Sequence, residues 1–391
     1  MASTMNNESR FEDFSLLGGP LHQWGRRLGL VRGQSNSFPL GLAIGPALWL
    51  VLAILALAQR DEQRLLAPEM VGAHVRLLAA IPLFFLCEAW LDPRVRAFVT
   101  MLVRSGVAPE AATPDLERAI GQSTRAARSV WPDAICFLLA AGILLITPTA
   151  DLTRLRSTMG VETELGPATL AGGWYWFVAM TVYRFLLFRW MFRLLVWWRL
   201  LWRIARMKLY LAPTHPDGVA GLGYLAVVQT QFMPLAAALS AVQSATLAEA
   251  IWVGAGSLST AYPMIALVLA LETLLFVAPL FLFLLKLWNC KQEGLASYMT
   301  MGSRYVSDFD SKWVHAQAPA DEVLLGTGDI QSLADLSNSM EIVRGLNLVP
   351  WNKDMLVGLG VAALAPMAPL WLLSYPIDEL IKRLFNTLVG S

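Results

Sequence analysis

Long apolar runs separated by shorter polar segments are the main pattern along the chain. Seven of these runs are about long enough to cross the roughly 30 Å hydrocarbon core of a bilayer as helices. Their approximate bounds are 38–58, 71–91, 131–147, 172–208, 222–243, 262–288 and 355–375. The pattern predicts an all-α, polytopic helical membrane protein with six to seven transmembrane helices.

The last run, 355–375, carries residues that interrupt helices: Gly358, Gly360, Pro366 and Pro369, with Pro376 just beyond. Helix breakers at membrane depth need protein or water to satisfy the freed backbone groups. Two interpretations stay open. The run is either a kinked seventh span, which leaves the C-terminus outside, or a re-entrant hairpin, which returns it inside. The tail 378–388 has an amphipathic pattern and is expected to lie on the membrane or against a neighbour.

Lys and Arg alternate between rich and poor segments along the chain. They are frequent before the first run and at 92–130, 189–221 and 286–354, and absent from 244–258. Retained positive charge marks the cytoplasmic side, so the N-terminus is predicted to be cytoplasmic. The expected units are a cytoplasmic segment 1–37, a six-helix membrane region 38–288 with cytoplasmic extensions, a cytoplasmic segment 289–354 and the last run with its tail, 355–391.

Composition supports this picture and excludes other classes. Apolar residues make up 56% of the chain and charged residues 15%, against about 25% charged residues in soluble domains. The net charge of +1 gives no basic field that would attract nucleic acid. Because most of the chain is expected to lie in a membrane, membrane lipids are the expected partner. Three cysteines and four scattered histidines lack metal-ligand spacing, and no catalytic motif occurs. No metal, cofactor or enzymatic activity is therefore predicted.

Ionisable residues inside apolar runs are costly and therefore informative. Glu272 lies in the middle of the sixth run and Arg184 in the middle of the fourth. At comparable depth they could pair, either to fix helix register or to serve ion permeation or proton transfer. His74, Arg76 and Glu88 lie near the ends of the second run, where side chains can reach the interface.

Three further patterns concern the other spans. Gln229, Ser240 and Gln243 share one face of the fifth predicted helix, a polar stripe that either lines a water path or bonds across helices. Gly41 and Gly45 form a GxxxG pattern that favours close helix packing. The second half of the fourth run interleaves arginines with tryptophans, which is typical of the headgroup level: Arg189, Trp190, Arg193, Trp197, Trp198, Arg199, Trp202, Arg203 and Arg206.

The loop 214–223 is the densest local motif. Pro216, which follows His215, ends the preceding helix, and Asp217 can cap the next. Three glycines allow close approach of the backbone: Gly218, Gly221 and Gly223. One interpretation is a cap and turn. The other is a set of free N–H groups and a positive helix end at the cytoplasmic mouth of a pathway, where anions would dock.

Three segments resemble a family of uncharacterised bacterial multi-pass inner-membrane proteins. They are HPDGVAGLG at 215–223, LLGTGDIQSLADL at 324–336, and APMAPL at 365–370 with Pro376 and DELIKRL at 378–384. The sequence departs from that family's Gly-Gly-Leu-Gly at Ala220. The resemblance implies a bacterial inner membrane and no stated activity. In architecture alone, the predicted spans are similar to the tetrameric insect chemoreceptor channels.

These features support two main hypotheses. The first is an integral inner-membrane transport protein, an oligomeric ion or small-solute channel in which Glu272 and Arg184 control ions. The second is a non-conducting membrane scaffold that binds a partner through residues 286–354 and the C-terminal tail. A membrane enzyme or lipid-handling protein is a third alternative, resting only on His215 and Asp217.

Overall fold

The structure is a computed structural model that describes residues 14–15, 18–31, 36–60, 62–146, 169–315 and 328–374. Over these residues it is helical, with no β-strand. The predicted all-α class is thereby confirmed. Most of the segment 1–37, the loop after the third span, the first residues of LLGTGDIQSLADL and the C-terminal tail lie outside the described residues.

Eleven helices in the described residues are given labels here. They are α1 (Pro20–Arg27), α2 (Phe38–Ala58), α3 (Pro68–Arg104), α4 (Glu110–Arg128), α5 (Val130–Ile146), α6 (170–206), α7 (Tyr224–Trp252), α8 (Leu258–Phe276), α9 (Leu284–Phe309), α10 (Gly328–Gly345) and α11 (353–374). A single turn, Glu62–Leu65, joins α2 to α3.

Five helices are long and apolar enough to cross a membrane: α2, α3, α7, α8 and the Lys353–Trp371 part of α11. The pair α4 and α5, bent by 47° between them, becomes a sixth if the pair counts as one span. Helix α6, the fourth predicted span, is not among them. Its aromatic residues and arginines lower the mean hydropathy of the run.

Helix α3 corrects one predicted boundary. The sequence indicates a break after Asp92 and Pro93, yet the helix continues through Pro93 to Arg104. A proline within a helix removes one N–H donor and crowds a carbonyl of the preceding turn, which kinks or breaks a helix that no other contact holds. Asp92 is buried and is paired with Arg96 one turn further on, which stabilises the helix beyond the proline.

The packing of α2 on α3 depends on two small residues. A Cβ on Gly41 would lie 2.7 Å from Phe85 Cβ, and one on Gly45 would lie 2.2 Å from the carbonyl oxygen of Leu77. Any larger side chain would therefore separate the helices. The interpretation of the GxxxG pattern as a close packing motif is confirmed.

The sixth predicted span, 262–288, is not one continuous helix. Helix α8 ends at Phe276, a 3₁₀ turn covers Ala278–Phe283, and α9 begins at Leu284. Pro279 in that turn cannot donate a backbone hydrogen bond. Two side chains satisfy the carbonyls at the break: Gln229 Nε2 donates to Phe276 O at 2.7 Å, and Trp198 Nε1 donates to Leu275 O at 3.1 Å.

Two later helices refine the other predicted bounds. Helix α7 continues to Trp252, past the predicted end at Gln243. In α11 a 3₁₀ turn, Ala365–Met367, interrupts the helix without reversing it, so Lys353–Trp371 forms one helix of 19 residues. Its buried side chains recur every four residues along one face, which packs against α7: Met355, Leu359, Ala363 and Met367.

We expect replacement of Gln229 by Leu to destabilise the protein by about 1–3 kcal/mol, because it leaves the buried carbonyl of Phe276 without a donor. Gln243→Leu is the matched control on the same helix face, where the side chain is only half-buried. Unfolding in detergent micelles, followed by loss of helical circular dichroism, measures both. Equal effects of the two variants would show that Gln229 does not hold the break.

Candidate functional site

Glu272, the acidic residue predicted to lie within a span, is buried on α8, with 5% of its surface exposed. Its Oε1 accepts a hydrogen bond from Ser240 Oγ at 2.8 Å. Its other carboxylate oxygen, Oε2, is buried and has no hydrogen-bond partner in the described part of the chain. A carboxyl group in this setting is half satisfied, which is an expensive arrangement at membrane depth.

Arg184, the predicted partner, does not bond Glu272. Its Nη1 is buried and has no hydrogen-bond partner among the described residues. No ion pair between Arg184 and Glu272 occurs among the described residues. The predicted pairing of the two charges is therefore not formed in the described part of the chain.

The polar stripe on α7 faces its neighbouring helices. Gln229 is fully buried and accepts a hydrogen bond from Trp197 Nε1 at 3.2 Å while it donates to Phe276 O. Ser240 bonds Glu272, and Gln243 is half-buried. Within one chain, two members of the stripe thus form cross-helix hydrogen bonds.

A buried ionic cluster joins helices α3, α5 and α6. Glu88 on α3 is 2% exposed and pairs with Arg193 on α6, which is 6% exposed. Arg189, one turn earlier on α6, lies 3.6 Å from the same carboxylate and 3.2 Å from Asp133 Oδ1 on α5. Three helices therefore meet at two arginines and two carboxylates.

The chain near the N-terminus closes this cluster. Arg189 Nη2 donates to Gly18 O at 2.6 Å, and Ser37 Oγ donates to Glu88 Oε2 at 3.0 Å. His22 on α1 is buried beside the cluster, and that burial is the main reason that its pKa lies below the ordinary histidine value. A side chain at Gly19 would overlap Asp133, which explains the glycine.

This cluster was not predicted from the sequence. Glu88 was expected to reach the interface, and Arg189 and Arg193 were expected at the headgroup level, whereas the structure buries all three. Only the later part of α6 fits that assignment: Arg199 is exposed, and Arg206 lies over the ring of Trp202. A usable signal was present, since residues spaced by four share a helix face: Glu88 and Asp92 on one helix, Arg189 and Arg193 on another.

The loop 214–223 is organised around the Asp217 carboxylate. It accepts hydrogen bonds from the backbone N–H groups of Val219 at 3.0 Å, Gly221 at 3.1 Å and Gly223 at 2.8 Å. His215 Nδ1 lies 2.8 Å from Asp217 Oδ1. The N–H groups that could have bound an external anion are therefore occupied by the chain's own carboxylate.

The glycines of this loop have distinct roles. Gly218 and Gly221 have φ of 68° and 97°, and a Cβ on Gly223 would lie 2.9 Å from Asp217 Oδ2. Ala220 also adopts a left-handed φ of 57° although it carries a Cβ. This is the position at which the sequence departs from the Gly-Gly-Leu-Gly pattern, and the backbone there favours glycine.

The remaining histidine and cysteine candidates are hydrogen-bonded or buried within the fold. His74 accepts from Trp49 Nε1 at 2.7 Å and donates to Leu65 O at 2.9 Å. Cys87, Cys136 and Cys290 are buried and unpaired. In the part of the chain that the structure describes, no group of His, Cys, Asp and Glu is arranged to hold a metal ion.

Comparison with known proteins adds no relative. No protein-family model, no curated protein and no solved structure matches this chain.

Glu88→Gln should cost about 3–5 kcal/mol of folding free energy, because it leaves two buried arginines with one carboxylate. Asp115→Asn is the control, since Asp115 pairs with Arg118 on the exposed surface of α4 and such pairs contribute about 0–1 kcal/mol. The combined Glu88→Leu, Arg193→Met variant should recover part of the loss. Unfolding in micelles measures all three, and a loss in Glu88→Gln no larger than in Asp115→Asn would contradict the prediction.

Ala220→Gly should stabilise the protein by about 0.5–1 kcal/mol, because glycine adopts a left-handed φ without steric strain. Ala226→Gly, within α7, is the matched control and should destabilise by about 1 kcal/mol. The midpoint of thermal unfolding distinguishes them. A decrease of the midpoint in both variants would show that the loop imposes no strain at Ala220.

Proposed function

We propose that this protein is a non-conducting scaffold of a bacterial inner membrane that binds a partner through an extramembrane helical hairpin. The hairpin consists of α9 with its terminal turn, Asp310–Val314, and α10. The observation that carries the proposal is the exposure of α10: of its 18 residues only Val343 is buried. A helix with so little buried surface is presented to the surroundings.

The described part of the hairpin is a fixed arm. At its tip, Asp329 Oδ2 accepts from Lys312 Nζ at 3.0 Å and from Trp313 Nε1 at 2.9 Å. These two hydrogen bonds hold the pKa of Asp329 below its usual value. At its base, Lys291 Nζ donates to Leu346 O at 3.0 Å, and Gly294 packs against Pro213. A partner would meet a preformed surface, which lowers the entropic cost of binding.

Apolar side chains on the arm supply a contact surface. The exposed ones along the arm are Leu285, Trp288, Met299, Met301, Val306, Val314, Ile330 and Ile342. Methionine is adaptable and frequent at protein-binding surfaces, and grouped exposed apolar residues mark interaction sites. Beside the arm's base, between residues 209–213 and α9, lies an open cavity of about 500 Å³ with polar lining residues that include Lys286, Glu293 and Tyr298.

The absence of conduction is supported by how the intramembrane polar groups are used. Glu88 pairs with both Arg189 and Arg193, and Gln229 donates to the backbone carbonyl of Phe276 at the end of α8. Groups that line a water path keep bonding capacity for water or ions. Here that capacity is largely directed to other parts of the same chain.

One observation favours the channel as a second candidate. Glu272 keeps an unpartnered oxygen, and it lies on α8, whose most apolar window is only 11% buried within the chain. In a homo-oligomer, α8 and α11 of neighbouring copies could enclose a path past Glu272. An ion or small solute would then pass between subunits rather than through one.

The two candidates are separated by flux through liposomes that contain the purified protein. The scaffold predicts proton and potassium flux no greater than in protein-free liposomes, for the wild type and for Glu272→Gln alike. Flux in the wild type that Glu272→Gln lowers, and that Asp308→Asn on α9 leaves unchanged, would overturn the scaffold and establish the channel.

Partner binding is tested by placing a photo-crosslinking residue at Met299 or Ile330 in native membranes. We expect one discrete adduct of the same added mass from both positions, because both lie on the arm. Gln122, exposed on α4, is the control and should give none. An adduct with the mass of a second copy would identify the arm as a homo-oligomer contact, and no adduct at either position would contradict the proposal.

A further inference from the structure

The cavity at the base of the arm lies between the first half of α9 and the segment 209–213, which follows α6. Its volume of about 500 Å³ is in the range of small-molecule sites, about 300–1,000 Å³. Of the residues that line it in the described part of the chain, two are charged, Lys286 and Glu293, and two are phenols, Tyr210 and Tyr298. One cavity therefore brings together a base, an acid and two aromatic rings.

The regular spacing of residues on α9 builds this cavity. Cys290 Sγ donates to Leu211 O at 3.5 Å, and a Cβ on Gly294 would lie 2.6 Å from Pro213 Cβ. These two α9 residues are four apart and share one helix face, which holds the segment after α6 against the helix. Glu293 lies beside that face and is exposed, so its carboxylate is accessible at the cavity.

The two charges of the cavity do not neutralise each other. Lys286 Nζ donates to Met207 O, and an ammonium group has three donors, so two remain for a ligand. Glu293 forms no hydrogen bond or ion pair with any other described residue. The two residues are seven positions apart on α9, which is about 10.5 Å along a helix. A ligand with both charges could engage both of them.

Both walls of the cavity begin at the expected headgroup level. Lys286 is the first charged residue after the uncharged stretch 273–285, and Trp288 beside it is exposed. The other wall starts at the end of α6, where Arg206 lies over the ring of Trp202 and both are exposed. Exposed tryptophans at the end of an apolar stretch are typical of the membrane interface. The cavity is thus placed where phospholipid headgroups lie.

We propose that this cavity binds a phosphate group linked to a primary ammonium group, supplied by a phospholipid headgroup or by a soluble ester. The phosphate binds Lys286, and the ammonium binds Glu293. In a phospholipid the phosphate lies nearer to the acyl chains than the ammonium does, and Lys286 lies nearer to the apolar stretch than Glu293. The order of charges along α9 is therefore complementary to that of the headgroup.

Each part of the cavity has a chemical role in this binding. Hydrogen bonds between an ammonium and a carboxylate are charge-assisted and short, and lysine is a common phosphate ligand. The rings of Tyr210 and Tyr298 attract a cation through their faces. A primary ammonium donates to Glu293, which a quaternary one cannot do. The inference is independent of the scaffold proposal, because it concerns the cavity and not the apolar side chains of the arm.

The test is thermal unfolding of the full-length protein in maltoside micelles to which one phospholipid is added. Phosphatidylethanolamine carries both the phosphate and the primary ammonium, whereas phosphatidylglycerol carries the phosphate alone. We expect the midpoint of unfolding to rise more with phosphatidylethanolamine. Glycerophosphoethanolamine has the same headgroup without acyl chains. A rise with it identifies a soluble ester as sufficient, and a rise with phosphatidylethanolamine alone identifies the membrane lipid.

Glu293→Gln is the decisive variant. It removes an exposed charge that has no ion pair, so it is expected to fold, and its affinity for phosphatidylethanolamine should fall about tenfold. Asp308→Asn, exposed on the same helix and outside the cavity, is the matched control and should keep the wild-type response. Glu293→Lys should reverse the preference in favour of phosphatidylglycerol, because the cavity then carries two positive charges.

Three results would overturn the proposal. The first is a shift of the wild type with phosphatidylglycerol at least as large as that with phosphatidylethanolamine, which would indicate a general effect of lipid. The second is no shift with any of the three probes. The third is an unchanged response to phosphatidylethanolamine in Glu293→Gln.

Discussion

The pairing of Glu88 with Arg193 is the interaction on which the bundle depends. A charge removed from water has to be compensated locally, and within an apolar bundle only another part of the chain can do this. The pair fixes α3 against α6, Arg189 extends it to Asp133 on α5, and Gly18 closes it from the N-terminal side. Four separate parts of the chain are thereby held in one register.

The same requirement explains the break between α8 and α9. Pro279 interrupts backbone hydrogen bonding where the chain leaves the apolar region, and the side chains of Gln229 and Trp198 donate to the freed carbonyls. Asp217 does the equivalent in the loop before α7, where its carboxylate accepts from three N–H groups. Several polar residues that resemble functional-site candidates therefore form hydrogen bonds to backbone groups. A functional site is expected instead where buried polar groups or exposed apolar side chains lack partners within the chain.

Compensation within the described part of the chain is incomplete in two different ways. The arm formed by α9 and α10 presents apolar side chains with little of the chain over them, which is a deficit of contact. Arg184 Nη1 and Glu272 Oε2 are buried without a hydrogen-bond partner among the described residues, which is a deficit of bonding. A protein surface compensates the first deficit, whereas the second requires a polar or charged partner.

The sequence by itself determined the helical membrane class, most span positions and the close approach at Gly41 and Gly45, because chain length, apolar periodicity and small side chains act locally. It also singled out Asp217 as a cap for the next helix, whereas in the structure this carboxylate accepts from N–H groups of its own loop. Only the tertiary structure decided which charges meet. A helical pattern gives the face on which a residue such as Glu88 or Glu272 lies, but the partner depends on how distant helices are arranged. The arrangement of the helices determines which charges are compensated, so Glu272 accepts a hydrogen bond from Ser240 rather than pairing with Arg184.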